Sequence, residues 1–112
     1  MTHEKYLGEF EVIVLAAVLR LGDAAYGISI IDEIKERTGR SVSIGALYAT
    51  LSRLEDKKYV SARTGEATAA RGGRAKRYFS ITHNGRLQLN RSIALFNSML
   101  SDLPGWAVGE PI

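Results

Sequence analysis

The chain has 112 residues, 46% of them hydrophobic, which supports one domain around one core. It contains no Cys, so disulfides, thiolate zinc sites, iron–sulfur clusters and thiol redox sensing are excluded. The net charge of +3 conceals an asymmetry: residues 1–39 carry four Lys/Arg against seven Asp/Glu, residues 40–91 eleven against three, and residues 92–112 only Asp102 and Glu110. A polyanion would meet the middle of such a chain, not its ends.

The first helix is expected from about Leu7 to Leu21. Phe10, Ile13, Val14, Ala17 and Leu21 keep the helical period of ~3.6 residues, while Val12, Leu15 and Leu19 fall on another side. A helix apolar nearly all round needs a cover beyond its own domain's core. Its longest apolar run, Val12 to Leu19, is eight residues, far short of the roughly 20 that cross a bilayer. No basic-then-apolar leader ends in a small-residue cleavage site, which predicts a cytoplasmic protein without membrane contact. Gly22 suits the left-handed position that ends the helix. A second helix follows from about Ala24 to Thr38, with Ile28, Ile31 and Ile34 inward and Gly39 as its stop. Asp32, Glu33, Lys35, Glu36 and Arg37 form its solvated face.

Ser41 and Ser43 are N-cap candidates for a third helix over about Ile44 to Lys58. Leu47, Leu51 and Leu54 form its inward stripe; Gly45, Ala49, Ser52, Arg53 and Asp56 lie opposite, with Tyr48 on the flank. A solvated face is normally dense in Lys and Glu, whereas Gly, Ala and Ser permit close approach to another surface. Tyr59–Thr64 and Ala75–Ile81 then read as two strands, joined by a small, glycine-bearing and basic stretch containing Arg71-Gly72-Gly73-Arg74. Thr82 caps a fourth helix over His83 to Leu103, closed by Pro104-Gly105. Leu89, Ile93, Phe96, Leu100 and Leu103 step 4, 3, 4, 3 along it, the alternation of a helix–helix seam, with Leu95 and Met99 as a second apolar line.

Three helices and a two-stranded hairpin give a mainly α (α+β) fold, a winged helix-turn-helix over residues 1–82. Its third helix fits the major groove of DNA while the hairpin reaches the backbone alongside. The residues placed to meet double-stranded DNA are Ser41, Ser43, Gly45, Tyr48, Ala49, Ser52, Arg53, Arg63, Arg71, Arg74, Lys76 and Arg77. The wing arginines suit phosphates better than bases, because a glycine-rich tip holds no rigid bidentate geometry. Tyr48 has two readings, a contact to DNA or a plug between the second and third helices.

The stretch Ala46-Leu47-Tyr48-Ala49-Thr50-Leu51-Ser52-Arg53-Leu54-Glu55-Asp56-Lys57-Lys58-Tyr59-Val60 resembles the LY-x-x-L-x-R-L-E signature of PadR-like transcriptional regulators. Tyr26-Gly27, and Gly73 through Gly85 with Tyr78-Phe79-Ser80-Ile81-Thr82-His83-Asn84 at its centre, are similar to two further motifs of the family. The resemblance, over roughly residues 7 to 100, implies a homodimeric repressor that binds an inverted-repeat operator. It also implies that the last helix (83–103) pairs with its mate and with the partner's first helix. On that basis Leu15, Leu19, Leu89, Ile93, Phe96, Leu100 and Leu103 are expected at the dimer seam, with 104–112 as a tail. One position departs from the pattern: the family commonly has Gly where this chain has Lys58.

No catalytic, metal or cofactor site is predicted. His3 and His83 are far apart and no carboxylate cluster joins them, Arg71-Gly72-Gly73-Arg74 joins strands and lacks a following Lys-Ser/Thr, and nothing orders Ser, His and Asp as a nucleophile with its base. Two other readings are a multidrug-type sensor taking a small aromatic effector at the dimer seam, and a winged module that binds protein. The second would show an exposed apolar patch on the third helix or the wing. Some family members hold flat aromatic molecules between interface tryptophans; here the seam aromatic is Phe96, and Trp106 lies in the tail, either folded back on the seam or loose.

Overall fold

In the computed structural model, which describes residues 6–65 and 75–104, the elements run α1 (Glu9–Leu21), α2 (Gly27–Thr38), α3 (Ile44–Asp56), β1 (Val60–Thr64), β2 (Arg77–Ile81) and α4 (His83–Leu100). This is the winged helix-turn-helix order. Arg71, Arg74, His3 and Trp106 lie outside the described residues.

The core gathers around α1. Val14, Leu15, Ala17 and Val18 are buried there with Ile30 and Ile34 of α2, Leu47, Leu51 and Leu54 of α3, Val60 and Phe79 of the strands and Leu89 of α4. Most of the apolar surplus of α1 is covered within its own chain, by β2 and α4 as well as α2 and α3, while Leu19 stays exposed. Leu15, expected at a dimer seam, is fully buried in this core. Leu89 is buried with it, so both are committed to the protomer's interior.

Among the boundaries that differ from the sequence pattern, three have a visible cause in the backbone. Helix α2 begins at Gly27, because Ala25 and Tyr26 are extended and join the sheet: Phe79 donates its backbone N–H to the Ala25 carbonyl at 2.8 Å, and Tyr26 forms a bridge with Tyr78. With that start the buried line of α2 is Gly27, Ile30 and Ile34, and Ile28, expected inward, stands 57% exposed. Helix α3 ends at Asp56 in a Schellman turn: Tyr59 N–H bonds the Leu54 carbonyl, Lys58 N–H bonds that of Glu55, both at 2.9 Å, and Lys58 takes a left-handed φ of 65°. The position where the family has Gly therefore keeps glycine's backbone geometry with a lysine on it. Helix α4 stops at Leu100, because Ser101 is extended and Asp102 has φ 56° ahead of Pro104. Leu103 consequently leaves the helical repeat.

The hairpin is antiparallel in the register Val60↔Ile81, Ala62↔Phe79 and Thr64↔Arg77. Its base is fixed to α4. The Thr82 hydroxyl donates to the Lys58 carbonyl at 2.7 Å and accepts the Gly85 N–H at 3.0 Å. Any side chain at Gly85 would collide with the Tyr59 carbonyl, so glycine is what lets α4 start against β1.

Candidate nucleic-acid interface

Helix α3 is held by its inner side and its ends. Ser43 accepts the Ala46 N–H at 3.1 Å as the N-cap, a bond worth ~1 kcal/mol. Leu47, Leu51, Leu54 and Thr50 are buried, which turns Gly45, Ala49 and Ser52 to the outside, where all three are exposed. No side chain in that row extends beyond its γ atom, so the helix backbone can come close to whatever it meets. Arg53 lies on one flank of the row, donating to Thr50 Oγ1 at 3.1 Å and to the Ala49 carbonyl at 3.5 Å.

Tyr48 occupies the other flank, 38% exposed, with its ring edge-on to Phe79 of the wing at 6.2 Å between centroids. Its hydroxyl and ring cover Gly27: a Cβ there would sit 2.8 Å from the Tyr48 oxygen. Two sequence motifs that looked independent, Tyr26-Gly27 and the tyrosine of α3, are thus one packing arrangement. The plug reading of Tyr48 holds, and its remaining exposed edge borders the small-residue row.

The turn from α2 into α3 brings Lys35 Nζ to Ser41 Oγ at 2.9 Å, both exposed. This places a cation beside the start of α3, whereas helical spacing alone predicts Lys35 on the solvated face of α2. Ile44, first residue of α3, is 49% exposed. Ile28 lies seven residues before Lys35 on the same side of α2. Ile28 of α2 and Ile44 of α3 are thus two large exposed apolar side chains of the helix-turn-helix; helical spacing predicts Ile28 inward and assigns Ile44 only to the start of its helix.

The wing cations are held at stated positions by their own chain. Arg77 places one guanidinium nitrogen 3.0 Å from both Glu55 oxygens and so ties β2 to α3. Such an exposed pair is worth at most ~1 kcal/mol. Lys76 sits 3.6 Å above the Tyr26 ring and Arg63 4.6 Å above that of Tyr78. Arg63 also reaches the Asp23 carbonyl at 3.5 Å. Arg63 and Arg77 stand on opposite faces of the hairpin, as the register requires, so they border different sides of it.

Among the described residues no group of three His, Asp or Glu could hold a metal ion, and no helix is long and apolar enough to cross a membrane. The sequence model of the transcriptional regulator PadR-like family matches residues 14–91, from the middle of α1 into α4. This chain belongs to that family. No curated protein matches it. Among solved structures, a PadR-like transcription factor from Bacteroides fragilis is similar at 26% identity and TM-score 0.71, covering 80% of this chain and 82% of its own. A PadR family regulator from Clostridium difficile shares the fold at 21% identity and TM-score 0.67, covering 82% and 91%. PadR of Bacillus subtilis, crystallised in complex with operator DNA, shares it at 21% identity and TM-score 0.67, covering 88% of this chain and 62% of its own. The family is one of transcriptional regulators.

This PadR-like chain also carries an exposed apolar stripe on α4, with Leu19 of α1 exposed as well. Ile93, Phe96 and Leu100 of α4 are 41%, 48% and 47% exposed, and Leu19 of α1 is 38% exposed. Met99, at 73%, continues the second apolar line of α4. Of the seven seam residues expected from sequence, these four present surface, Leu15 and Leu89 do not, and Leu103 lies past the helix end.

Proposed function

We propose that this protein is a homodimeric transcriptional repressor that binds an inverted-repeat operator. The observation that carries the reading is the exposed row of Gly45, Ala49 and Ser52, bounded by Arg53 and by the Lys35–Ser41 turn. Such a row lets α3 sink into a major groove, and the cations meet phosphates on either side, releasing condensed counterions. The wing, through Arg63, Lys76 and Arg77 and the basic stretch around Arg71 and Arg74, meets the flanking backbone. A second copy covers the Ile93–Phe96–Leu100 stripe, which would otherwise leave large apolar side chains in water. Two copies of α3 then enter successive grooves about 34 Å apart. α4 carries the pairing: its 18 residues make it roughly 27 Å long.

The deciding experiment is a gel shift with the DNA upstream of the protein's own gene at two salt concentrations. Specific retention that weakens steeply with salt supports the reading. Arg53→Ala is expected to weaken operator binding roughly tenfold while the circular dichroism spectrum stays that of the parent. Equal retention of operator and unrelated duplex at every salt concentration refutes sequence-specific regulation.

A further inference from the structure

The first two turns of α3 carry an unusual set of exposed groups for a helix read against base edges. In helix-turn-helix proteins it is the N-terminal residues of the recognition helix that reach the bases. Here those residues are Ile44, Gly45, Ala46, Tyr48 and Ala49, with Ser43 just ahead. The Ser43 hydroxyl is engaged as the helix cap, and the Tyr48 hydroxyl is turned back over Gly27. No Asn, Gln, Arg or Lys stands in these turns, so the side chains that make bidentate contacts to adenine or guanine are missing from them. What they offer is apolar: Ile44 at 49% exposure on α3, with Ile28 at 57% on α2.

In the major groove one base alone presents an apolar group, the 5-methyl of thymine. We propose that Ile44, flanked by Gly45 and Ala49, reads thymine in each half-site through that methyl, so that the operator is specified there by apolar contact and not by hydrogen bonds. The small neighbours matter because they let the Ile44 side chain be the part of α3 that projects deepest. The cations at the margin, Arg53 and Lys35, supply affinity from the phosphates without discriminating bases. This inference rests on the DNA-binding reading above. A protein partner on the Ile28–Ile44 surface is the competing occupant. The bare row beside Ile44 and its cationic borders favour a polyanion, since a protein-binding patch of this kind would want more apolar area than two isoleucines.

The test begins by selecting bound duplexes from a random library with the purified full chain. Each thymine of the enriched half-site is then replaced singly by deoxyuridine, which removes only the methyl. Binding is expected to fall about fourfold at one or two positions, the factor for ~0.8 kcal/mol per buried carbon. Ile44→Ala is expected to bind the thymine and deoxyuridine duplexes equally, with an unchanged melting temperature because the side chain is half exposed. A cytosine placed at the same position should weaken binding, and 5-methylcytosine should recover part of the loss. If a consensus is enriched but deoxyuridine is bound as tightly as thymine throughout, or Ile44→Ala keeps the parent's thymine preference, methyl readout is wrong while DNA recognition stands. If no duplex is enriched, both readings fall and the isoleucines belong to a protein contact.

Discussion

Lys58 offers the sharpest test of how the chain is built. It sits at the left-handed position of the Schellman turn that ends α3, with φ 65°, and its carbonyl accepts the Thr82 hydroxyl at 2.7 Å. For an L-residue the left-handed region costs roughly 1–2 kcal/mol. Glycine is free of that cost, but loses about 0.5–1 kcal/mol more backbone entropy on folding. The balance gives Lys58→Gly a gain of about 0.5–1 kcal/mol, or roughly 2–6 °C in melting temperature for a domain of this size. Removing the charge is a separate effect, which Lys58→Ala isolates: it keeps the left-handed strain and should stay within ~0.5 kcal/mol of the parent, as exposed substitutions do. The assay is urea and thermal unfolding of the parent and both variants at one protein concentration, because the apparent stability of the proposed dimer would depend on concentration. If Lys58→Gly unfolds at or below the parent's midpoint, or if Lys58→Ala gains as much as Lys58→Gly, the strain assigned to this turn is not there.

Other substitutions check the remaining joints. Gly85→Ala drives a methyl into the Tyr59 carbonyl, a backbone atom that cannot yield, and should cost about 3 kcal/mol or more, seen as loss of soluble folded protein. Gly27→Ala meets the side chain of Tyr48 instead, so a smaller loss of about 1–2 kcal/mol is expected, and adding Tyr48→Ala should recover part of it in a double-mutant cycle. Phe96→Asp places a carboxylate on the exposed stripe of α4 and should convert the proposed dimer into a folded monomer in analytical ultracentrifugation; unchanged sedimentation would remove that stripe from the proposed interface.

Much of the fold was legible because it is local. The Leu47, Leu51 and Leu54 spacing fixes which side of α3 is inward, and therefore that Gly45, Ala49 and Ser52 face out. Ser43 and Thr82 announce their helices because a hydroxyl that accepts a backbone N–H three residues on needs no distant partner. The family signature was readable for the same reason, since its residues are consecutive. Periodicity was less informative where apolar residues crowd: α2 has Ile28, Ile30, Ile31 and Ile34, which satisfy more than one helical stripe.

The amino-acid order by itself determined three helices, a hairpin and a fourth helix, and a third helix bare on its outer side. Only the tertiary structure decided where α2 begins, because a hydrogen bond from Phe79, more than fifty residues away, holds Ala25 out of the helix. It also decided that Leu15 is interior and Ile28 is surface, that Tyr48 is anchored over Gly27, and that Lys35 belongs beside α3. Each of these depends on which neighbour arrives from elsewhere in the chain, and helical spacing reports only the direction a side chain points, not what stands opposite it.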